Sequence, residues 1–205
     1  MRIAILGTGS VGSALGPALA AAGHAVVYGS RESERDGVRQ LVGRTPGGAA
    51  AAHDAAVADA EVVVLATPWE ATEALVRDLD LDGRVVLDAT NPLSFPDLAR
   101  TVETSAAEIV QAAAPAARVV KAFSTVGANV MADAGFPGDV RPALFVAGDD
   151  AGAKATALAL AADLGFEGID AGGIERARAL EEVAVLWIHH AMRAGREMAF
   201  AVLRR

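Results

Sequence analysis

The chain has 205 residues, 53% of them hydrophobic, which is enough for the core of one large domain or of a domain with a small addition. Its formal net charge of −8 argues against nucleic acid as a partner, and the absence of cysteine excludes disulfides, thiolate metal ligands and cysteine nucleophiles. No uncharged run reaches membrane-spanning length, and the first strand begins at once, without room for a signal peptide, so we expect a cytoplasmic location and no membrane.

The amino-terminal stretch has the pattern of a strand, a glycine turn, a helix and a second strand. The apolar run 2–6 leads into a G-x-G-x-x-G sequence, a helix follows over 13–22, and Gly23 ends it before a strand over 24–28. In this context the first glycine permits a tight turn, the second lets a pyrophosphate approach the backbone, and the third lets helix pack on strand. The pattern predicts a dinucleotide site formed by Gly7, Thr8, Gly9, Ser10, Val11 and Gly12.

The residues after the second strand indicate which dinucleotide is bound. Proteins that prefer NAD usually place an acidic residue there, which binds the ribose 2′-hydroxyl. This chain has Ser30 and Arg31 instead, with Arg35 one turn further, and a hydroxyl and a guanidinium can bind a 2′-phosphate. The alternative is that the two arginines only form a solvated helix start with Glu32 and Glu34. The missing acid and the two basic residues favour NADP over NAD.

Strands and helices alternate along the rest of the chain. Apolar runs bounded by turn residues predict buried strands over 61–66, 84–88, 117–123, 143–147 and 166–170. Between them we expect helices over 49–60, 70–79, 104–114 and 150–164, and one long helix from 174 nearly to the end. This alternation predicts an α/β protein with a Rossmann-type, doubly wound, mostly parallel sheet and a C-terminal helical extension. We place a dinucleotide-binding domain at 1–130, and at 131–205 an extension that packs on it and completes the site of the second substrate.

In a doubly wound sheet, ligands bind beyond the carboxyl ends of the strands. Besides the glycine turn, segments 67–69, 90–92 and 124–129 leave predicted strand ends, and we expect all four to converge on one cleft. Thr67 and Pro68 are then expected beside the cofactor's ribose, and Ala128 near the nicotinamide. The alternative for Pro68 is that it only terminates a strand.

The last helix is predicted to lie in a subunit interface. Its segment 183–188 is apolar on every side, which indicates burial, and a terminal helix of a small protein can be buried by a second copy. We therefore expect a homodimer, with Trp187 as a packing residue. His189 and His190 are adjacent and cannot share a helix face, while His24 and His53 stand alone, so no metal site is expected.

The sequence contains no recognisable set of residues for proton transfer. The single tyrosine, Tyr28, lies in the nucleotide unit, and no Ser-Tyr-Lys set or His-Asp pair can be identified. Lys121 could be a catalytic acid, with Thr90, Ser124 and Thr125 behind it, but its position inside a strand favours a structural ion pair. We expect no catalytic side chain, which suits direct hydride transfer between two aligned rings.

Nearly the whole chain resembles the NADPH-dependent F420 reductases, which are F420H2:NADP oxidoreductases. The matching segments are the glycine turn, 29–31, 68–70, 105–110, 148–150, 170–172, and Arg178 followed by Glu181. Segments 88–93 and 121–126 are more similar to a broader set of NADP-binding proteins.

The resemblance implies a function and assigns site residues. It implies hydride transfer between NADP and the 5-deazaflavin coenzyme F420, without a covalent intermediate on the protein, by a dimeric enzyme. It also implies that the diphosphate lies on the glycine turn, the 2′-phosphate on Ser30, Arg31 and Arg35, and the nicotinamide beside Ala128. The alternatives are an NADPH reductase of an ordinary flavin or another small acceptor, and a non-catalytic NADPH-binding regulator.

Overall fold

The structure is a computed structural model that describes residues 1–138 and 140–205 and, of residue 139, the backbone alone. Eight strands form one sheet in the order β3-β2-β1-β4-β5-β6-β7-β8. The strands are β1 (Arg2–Leu6), β2 (Ala25–Gly29), β3 (Ala49–Ala51), β4 (Val62–Leu65), β5 (Val85–Asp88), β6 (Arg118–Lys121), β7 (Ala143–Gly148) and β8 (Glu167–Asp170). All neighbours pair in parallel except β6 and β7, so the predicted Rossmann-type, mostly parallel sheet is confirmed.

Helices cover both faces of this sheet. They are α1 (Ser10–Ala21), α2 (Asp36–Arg44), α3 (His53–Ala58), α4 (Trp69–Arg77), α5 (Ala106–Ala113), α6 (Ala128–Ala132), α7 (Ala151–Asp163) and α8 (Ala177–Ala194), with short 3₁₀ turns at Pro137–Asp139 and Ile174–Arg176. Alternate strand residues face opposite layers: Ile3 and Ile5 pack in the core that includes Leu15 of α1, while Ala4 and Leu6 pack in the core that includes Val57 of α3. The central strands are buried on both sides, as their continuous apolar sequences predict.

The structure corrects the prediction of one helix over 49–60. Ala49 to Ala51 form β3, which pairs with the end of β2, and the helix begins only at His53. Alanine favours helix, but pairing with an exposed strand edge prevails here over local preference.

The last helix is also shorter than predicted. It ends at Ala194 because Gly195 adopts a φ of +97°, which favours glycine and terminates the helix. The final residues run extended beside the start of β7, where the Ala143 N–H donates to the Phe200 carbonyl at 2.8 Å. Trp187 is a packing residue, as predicted, but it packs within its own chain and not in a subunit interface, and its indole N–H donates to the Met198 carbonyl at 3.1 Å.

Candidate functional site

In the glycine turn between β1 and α1, the fold itself requires glycine at two of the three glycine positions. Gly7 has a φ of +114°, and a Cβ there would lie 2.4 Å from the Ala66 carbonyl oxygen. A Cβ on Gly12 would lie 2.0 Å from the Gly7 carbonyl oxygen. The turn thus lies so close to the end of β4, and the first turn of α1 so close to the loop, that a side chain does not fit, and both positions require glycine in order to fold.

At the middle glycine of the turn, Gly9, the folded chain does not require the absence of a side chain. Gly9 has an ordinary φ of −78°, and a Cβ built on it would meet nothing within 4 Å. It is the N-cap residue of α1 and offers no side-chain cap to the first amides of that helix. Open space in front of uncapped amides, at the positive end of a helix dipole, fits a bound diphosphate. Nothing in the folded chain requires glycine at this position, whereas a diphosphate bound close to the backbone would require it.

The tip that follows β2 presents unpaired positive charge. Arg31 and Arg35 are exposed, and within the described residues no carboxylate lies in ion-pair distance of either. Of the predicted alternative partners, Glu34 contacts Arg39 instead, at 3.8 Å. The Ser30 hydroxyl accepts the Glu32 N–H at 3.2 Å, which leaves its own proton free to donate. The tip therefore has the donors that a ribose 2′-phosphate needs.

The segment after β4 lies beside the glycine turn. The carbonyl of Ala66 and the N–H of Thr67 are the atoms that a Cβ on Gly7 would meet. The Thr67 hydroxyl lies 2.8 Å from the Thr72 hydroxyl, which donates to the carbonyl of Pro68 at 3.0 Å, so Thr67 is tied to the start of α4. This arrangement fixes the wall of the cleft where the ribose was predicted.

Ala128 is the first residue of α6, a short helix that the sequence did not reveal. α6 packs against α1, the helix that starts at the glycine turn, and Ala128 follows β6. The fold therefore brings Ala128, the glycine turn and the Thr67–Pro68 segment to one edge of the sheet. Arg35 lies further out, on the exposed start of α2.

Buried polar atoms without partners mark the part of this edge that follows β5 and β6. Among the described residues they are Asn91 Oδ1, Ser124 Oγ, Thr125 Oγ1 and Asn129 Oδ1, and the Asn91 amide joins the two segments by donating to the Ser124 carbonyl at 3.0 Å. An unsatisfied buried polar atom costs about 1–3 kcal/mol, so such atoms usually meet water or a ligand. They fit the polar edge of a ring bound beside the nicotinamide position. The sequence predicted that segments 90–92 and 124–129 converge on this cleft and named Ser124 and Thr125 as possible proton donors, but it gave the side chain of Asn91 no role.

Lys121 lies in a buried ion cluster beneath this edge. Its ammonium group is 3.0 Å from the Asp88 carboxylate and 2.8 Å from that of Glu181 in α8, and it also donates to the carbonyl of Thr90. All three charged side chains of the cluster have 0% exposure. The structural ion pair predicted for Lys121 is therefore present, and three acceptors already occupy its donors.

Glu181 connects the C-terminal helix to this cluster. Its carboxylate also accepts the N–H of Ala106 at 2.8 Å, the first amide of α5. Burial raises the pKa of the Glu181 carboxyl, whereas the neighbouring Lys121 acts in the opposite direction. The cluster thus joins β5, β6, α5 and α8 and has the geometry of a structural anchor.

A groove at the opposite edge of the sheet carries no comparable chemistry. Its volume is about 410 Å³, and its lining includes Glu61, Arg84 and Arg118. Arg84 donates to the carbonyls of Ala58 and Ala60, so its guanidinium is engaged in holding the chain. Among the residues that the structure describes, no three His, Asp or Glu side chains come together to hold a metal, and no helix is long and apolar enough to cross a membrane.

Comparison with known proteins relates this site to a family. The profile of the coenzyme F420-dependent NADP oxidoreductases matches residues 2–92. The F420-dependent NADP reductase of Methanothermobacter thermautotrophicus is 32% identical over 208 residues, covering 92% of this chain and 88% of that protein. A candidate F420-dependent NADP reductase from an Arthrobacter species is 34% identical over the full length of both chains, and its crystal structure superposes with a TM-score of 0.88.

A similarity of equal strength extends to part of a larger protein. The rat metalloreductase STEAP3 is 32% identical over 184 residues, which is 89% of this chain but 36% of that protein, so the chain spans about a third of its length.

The sheet order, the parallel pairing around β1 and the glycine turn define a Rossmann-type α/β protein. The full-length similarities specify it further. The chain belongs to the F420-dependent NADP oxidoreductase family.

Proposed function

We propose that this chain transfers hydride between NADP(H) and the deazaflavin coenzyme F420. The observation that carries the NADP part is the tip at Ser30 and Arg31, where a hydroxyl and a guanidinium without a carboxylate partner stand in place of an acid. Full-length similarity to an F420-dependent NADP reductase supports the deazaflavin as second substrate.

In this proposal the protein contributes binding and alignment. NADP(H) and the deazaflavin supply the hydride donor and acceptor, so the chain needs to hold both rings in contact and exclude water. The first amides of α1 would hold the diphosphate, and Ser30, Arg31 and Arg35 the 2′-phosphate. Ala128 would lie beside the nicotinamide, with the unpartnered oxygens of Ser124 and Thr125 near the second ring. Lys121 stays in its ion cluster and transfers no proton.

The proposal is tested by a spectrophotometric assay with purified protein. NADPH is offered with F420, with an ordinary flavin, and without acceptor, and we expect rapid oxidation only with F420. Deuterium placed on the transferring position of NADPH should appear on the deazaflavin and not in water. Turnover with the ordinary flavin but not with F420 would show that the flavin, and not F420, is the acceptor. NADPH binding without turnover on any acceptor would favour a non-catalytic regulator.

We also propose that the protein is a homodimer that associates through α8. Leu186 and Met192 on this helix are 60% and 61% exposed, although both are large and apolar. Ala184 and Trp187 of the same helix are buried within the chain, so the segment 183–188 is not enclosed on every side by its own fold. A second copy would remove the exposed apolar surface from water.

A further inference from the structure

His53 lies beside the tip that is proposed to bind the 2′-phosphate. It is the first residue of α3 and is separated by one residue from β3, which pairs with the end of β2. A Cβ built on Gly29 would lie 3.1 Å from the His53 ring carbon Cδ2 and 3.4 Å from the His53 Cα. Gly29 immediately precedes Ser30. The imidazole therefore packs on the backbone from which Ser30 and Arg31 project.

Within the described residues, the imidazole of His53 has no hydrogen-bond partner that would explain a histidine at this position. The ring of His24 bonds to Asp163 and to the amino terminus, whereas among the described residues no side chain or carbonyl bonds to the ring of His53. Its side chain is only partly exposed. A half-buried, unpaired imidazole beside two free donors is available to a ligand at the tip.

Burial and the Arg31 charge both favour the neutral form of the ring. Burial is the largest effect that lowers the pKa of His53, the Arg31 guanidinium lowers it further, and Asp54 opposes them. The strands that pack against α3 add little charge. Arg2 of β1 contacts Glu61 at 3.4 Å, and Tyr28 of β2 is buried and bonded to Thr45 at 2.8 Å.

We infer that His53 is a further contact for the ribose 2′-phosphate, next to Ser30 and Arg31, and that it takes up a proton when this phosphate binds. The inference rests on the proposed use of NADP. A phosphate dianion at the tip neutralises the field of Arg31 and adds negative charge, which favours the imidazolium form. The imidazolium can then donate a charge-assisted hydrogen bond to a phosphate oxygen.

The sign of the pH dependence follows from this linkage. Phosphate binding raises the pKa of His53, so affinity increases as the pH falls through the pKa of the bound state and levels off below that of the free state. The phosphate itself protonates near about pH 6, which opposes the effect at lower pH. The 2′-phosphorylated ligand should thus bind more tightly toward the acidic side of the window between about pH 6 and about pH 8. A ligand without this phosphate should show no such trend.

The experiment is calorimetric titration with adenosine 2′,5′-bisphosphate and with 5′-AMP, which differs from it only by the missing 2′-phosphate, each in buffers of different ionisation enthalpy. With the wild-type protein we expect net proton uptake for the 2′,5′ ligand alone, which contrasts with the slight release expected if only the arginine bound the phosphate. His53→Gln should abolish the uptake and weaken the 2′,5′ ligand about tenfold, as for a lost charge-assisted bond. His189→Gln, on exposed α8, is the matched control and should leave both values unchanged.

Three results would overturn the inference. Unchanged proton uptake in His53→Gln would assign the proton to another group. An equal loss of affinity for 5′-AMP would show that the ring contacts a part of the nucleotide other than the 2′-phosphate. Equal affinity of the wild-type protein for both ligands would contradict the NADP proposal itself, and with it the role of His53.

Discussion

The three glycines of the turn after β1 have different reasons to be glycine. Gly7 and Gly12 avoid backbone contacts of 2.4 Å and 2.0 Å, so they are needed to build the turn. Gly9 has open space around it, so its need arises when a diphosphate approaches the backbone. Folding and binding can therefore be separated within one motif.

We predict that Gly9→Val folds normally and loses NADPH binding, because its side chain fills space that the ligand requires. Gly7→Ala should instead lower the free energy of unfolding by roughly 1–3 kcal/mol or more, since it combines a disfavoured φ with a backbone clash. Thermal unfolding and fluorescence titration with NADPH measure the two effects. Gly37→Ala, an exposed glycine of α2 with nothing within 4 Å of its Cβ, is the control. Normal NADPH affinity in Gly9→Val would contradict the diphosphate assignment.

Arg31→Ala should weaken NADPH binding by about 10- to 100-fold, the cost of roughly 1.5–3 kcal/mol for a lost charge-assisted contact. NADH has no 2′-phosphate, so its affinity should hardly change. Dissociation constants for both nucleotides test this. Arg39→Ala is a suitable control because that guanidinium is already paired with Asp36 at 2.6 Å. Equal losses for NADPH and NADH in Arg31→Ala would show that the tip does not select the phosphate.

At the scale of the elements, the cluster of Lys121, Asp88 and Glu181 holds α8 against β5 and β6. Lys121→Met removes the cation of Asp88 and leaves Glu181 with Arg100 alone, at 3.5 Å, and breaking a buried pair in this way typically costs about 3–5 kcal/mol. We predict a large loss of stability in denaturant unfolding. Lys121→Met combined with Glu181→Gln should lose less, because one of the two carboxylates is then uncharged.

Activity measurements on variants of Lys121 and its neighbours distinguish a structural role of this cluster from a catalytic one. Folded Lys121→Met, Ser124→Ala and Thr125→Ala should each keep hydride-transfer activity within about tenfold, whereas loss of a general acid typically costs 10²–10⁴-fold. Steady-state rates at saturating NADPH are the measurement. A Lys121 variant that binds NADPH normally but turns over about a thousandfold more slowly would restore an acid-base mechanism.

The elements show which features a sequence can and cannot reveal. The glycine turn and the tip at Ser30 lie within one consecutive βαβ unit, so spacing alone located them. The approach of His53 to Gly29 depends on the pairing of β3 with β2, and the partner of Lys121 on α8 depends on packing of distant segments. The alanines of β3 favour a helix by their local preference, and they form a strand because they pair with the edge of the sheet at β2. Likewise, Gly195 ends α8 in a stretch whose composition would have allowed the helix to continue.

At the scale of the whole molecule, association through α8 is best tested at an exposed residue. Trp187 is buried within its own chain, so Trp187→Asp would disturb the fold whether or not a dimer exists. Leu186→Glu changes a side chain that is 60% exposed, and we predict that it gives a folded monomer in analytical ultracentrifugation. Val140→Glu, which alters an exposed apolar residue outside α8, should remain dimeric. A wild-type protein that sediments as a monomer would refute the proposed dimer.

The antiparallel pairing of β7 with β6 brings segments from the later part of the chain to the edge where the nucleotide is proposed to bind. Because β7 runs opposite to β6, the start of β7 and the extended segment after α8 lie at the same edge as the loops that follow β1, β2 and β4. In the proposed function the nucleotide is held by the loops at the carboxyl ends of the strands, whereas these later segments reach the same edge from outside the parallel strands. We therefore predict that variation in 133–143 and 195–205 alters the choice of second substrate without altering the choice of nucleotide, so that exchanging these segments between relatives gives new acceptors on an unchanged NADP-binding core.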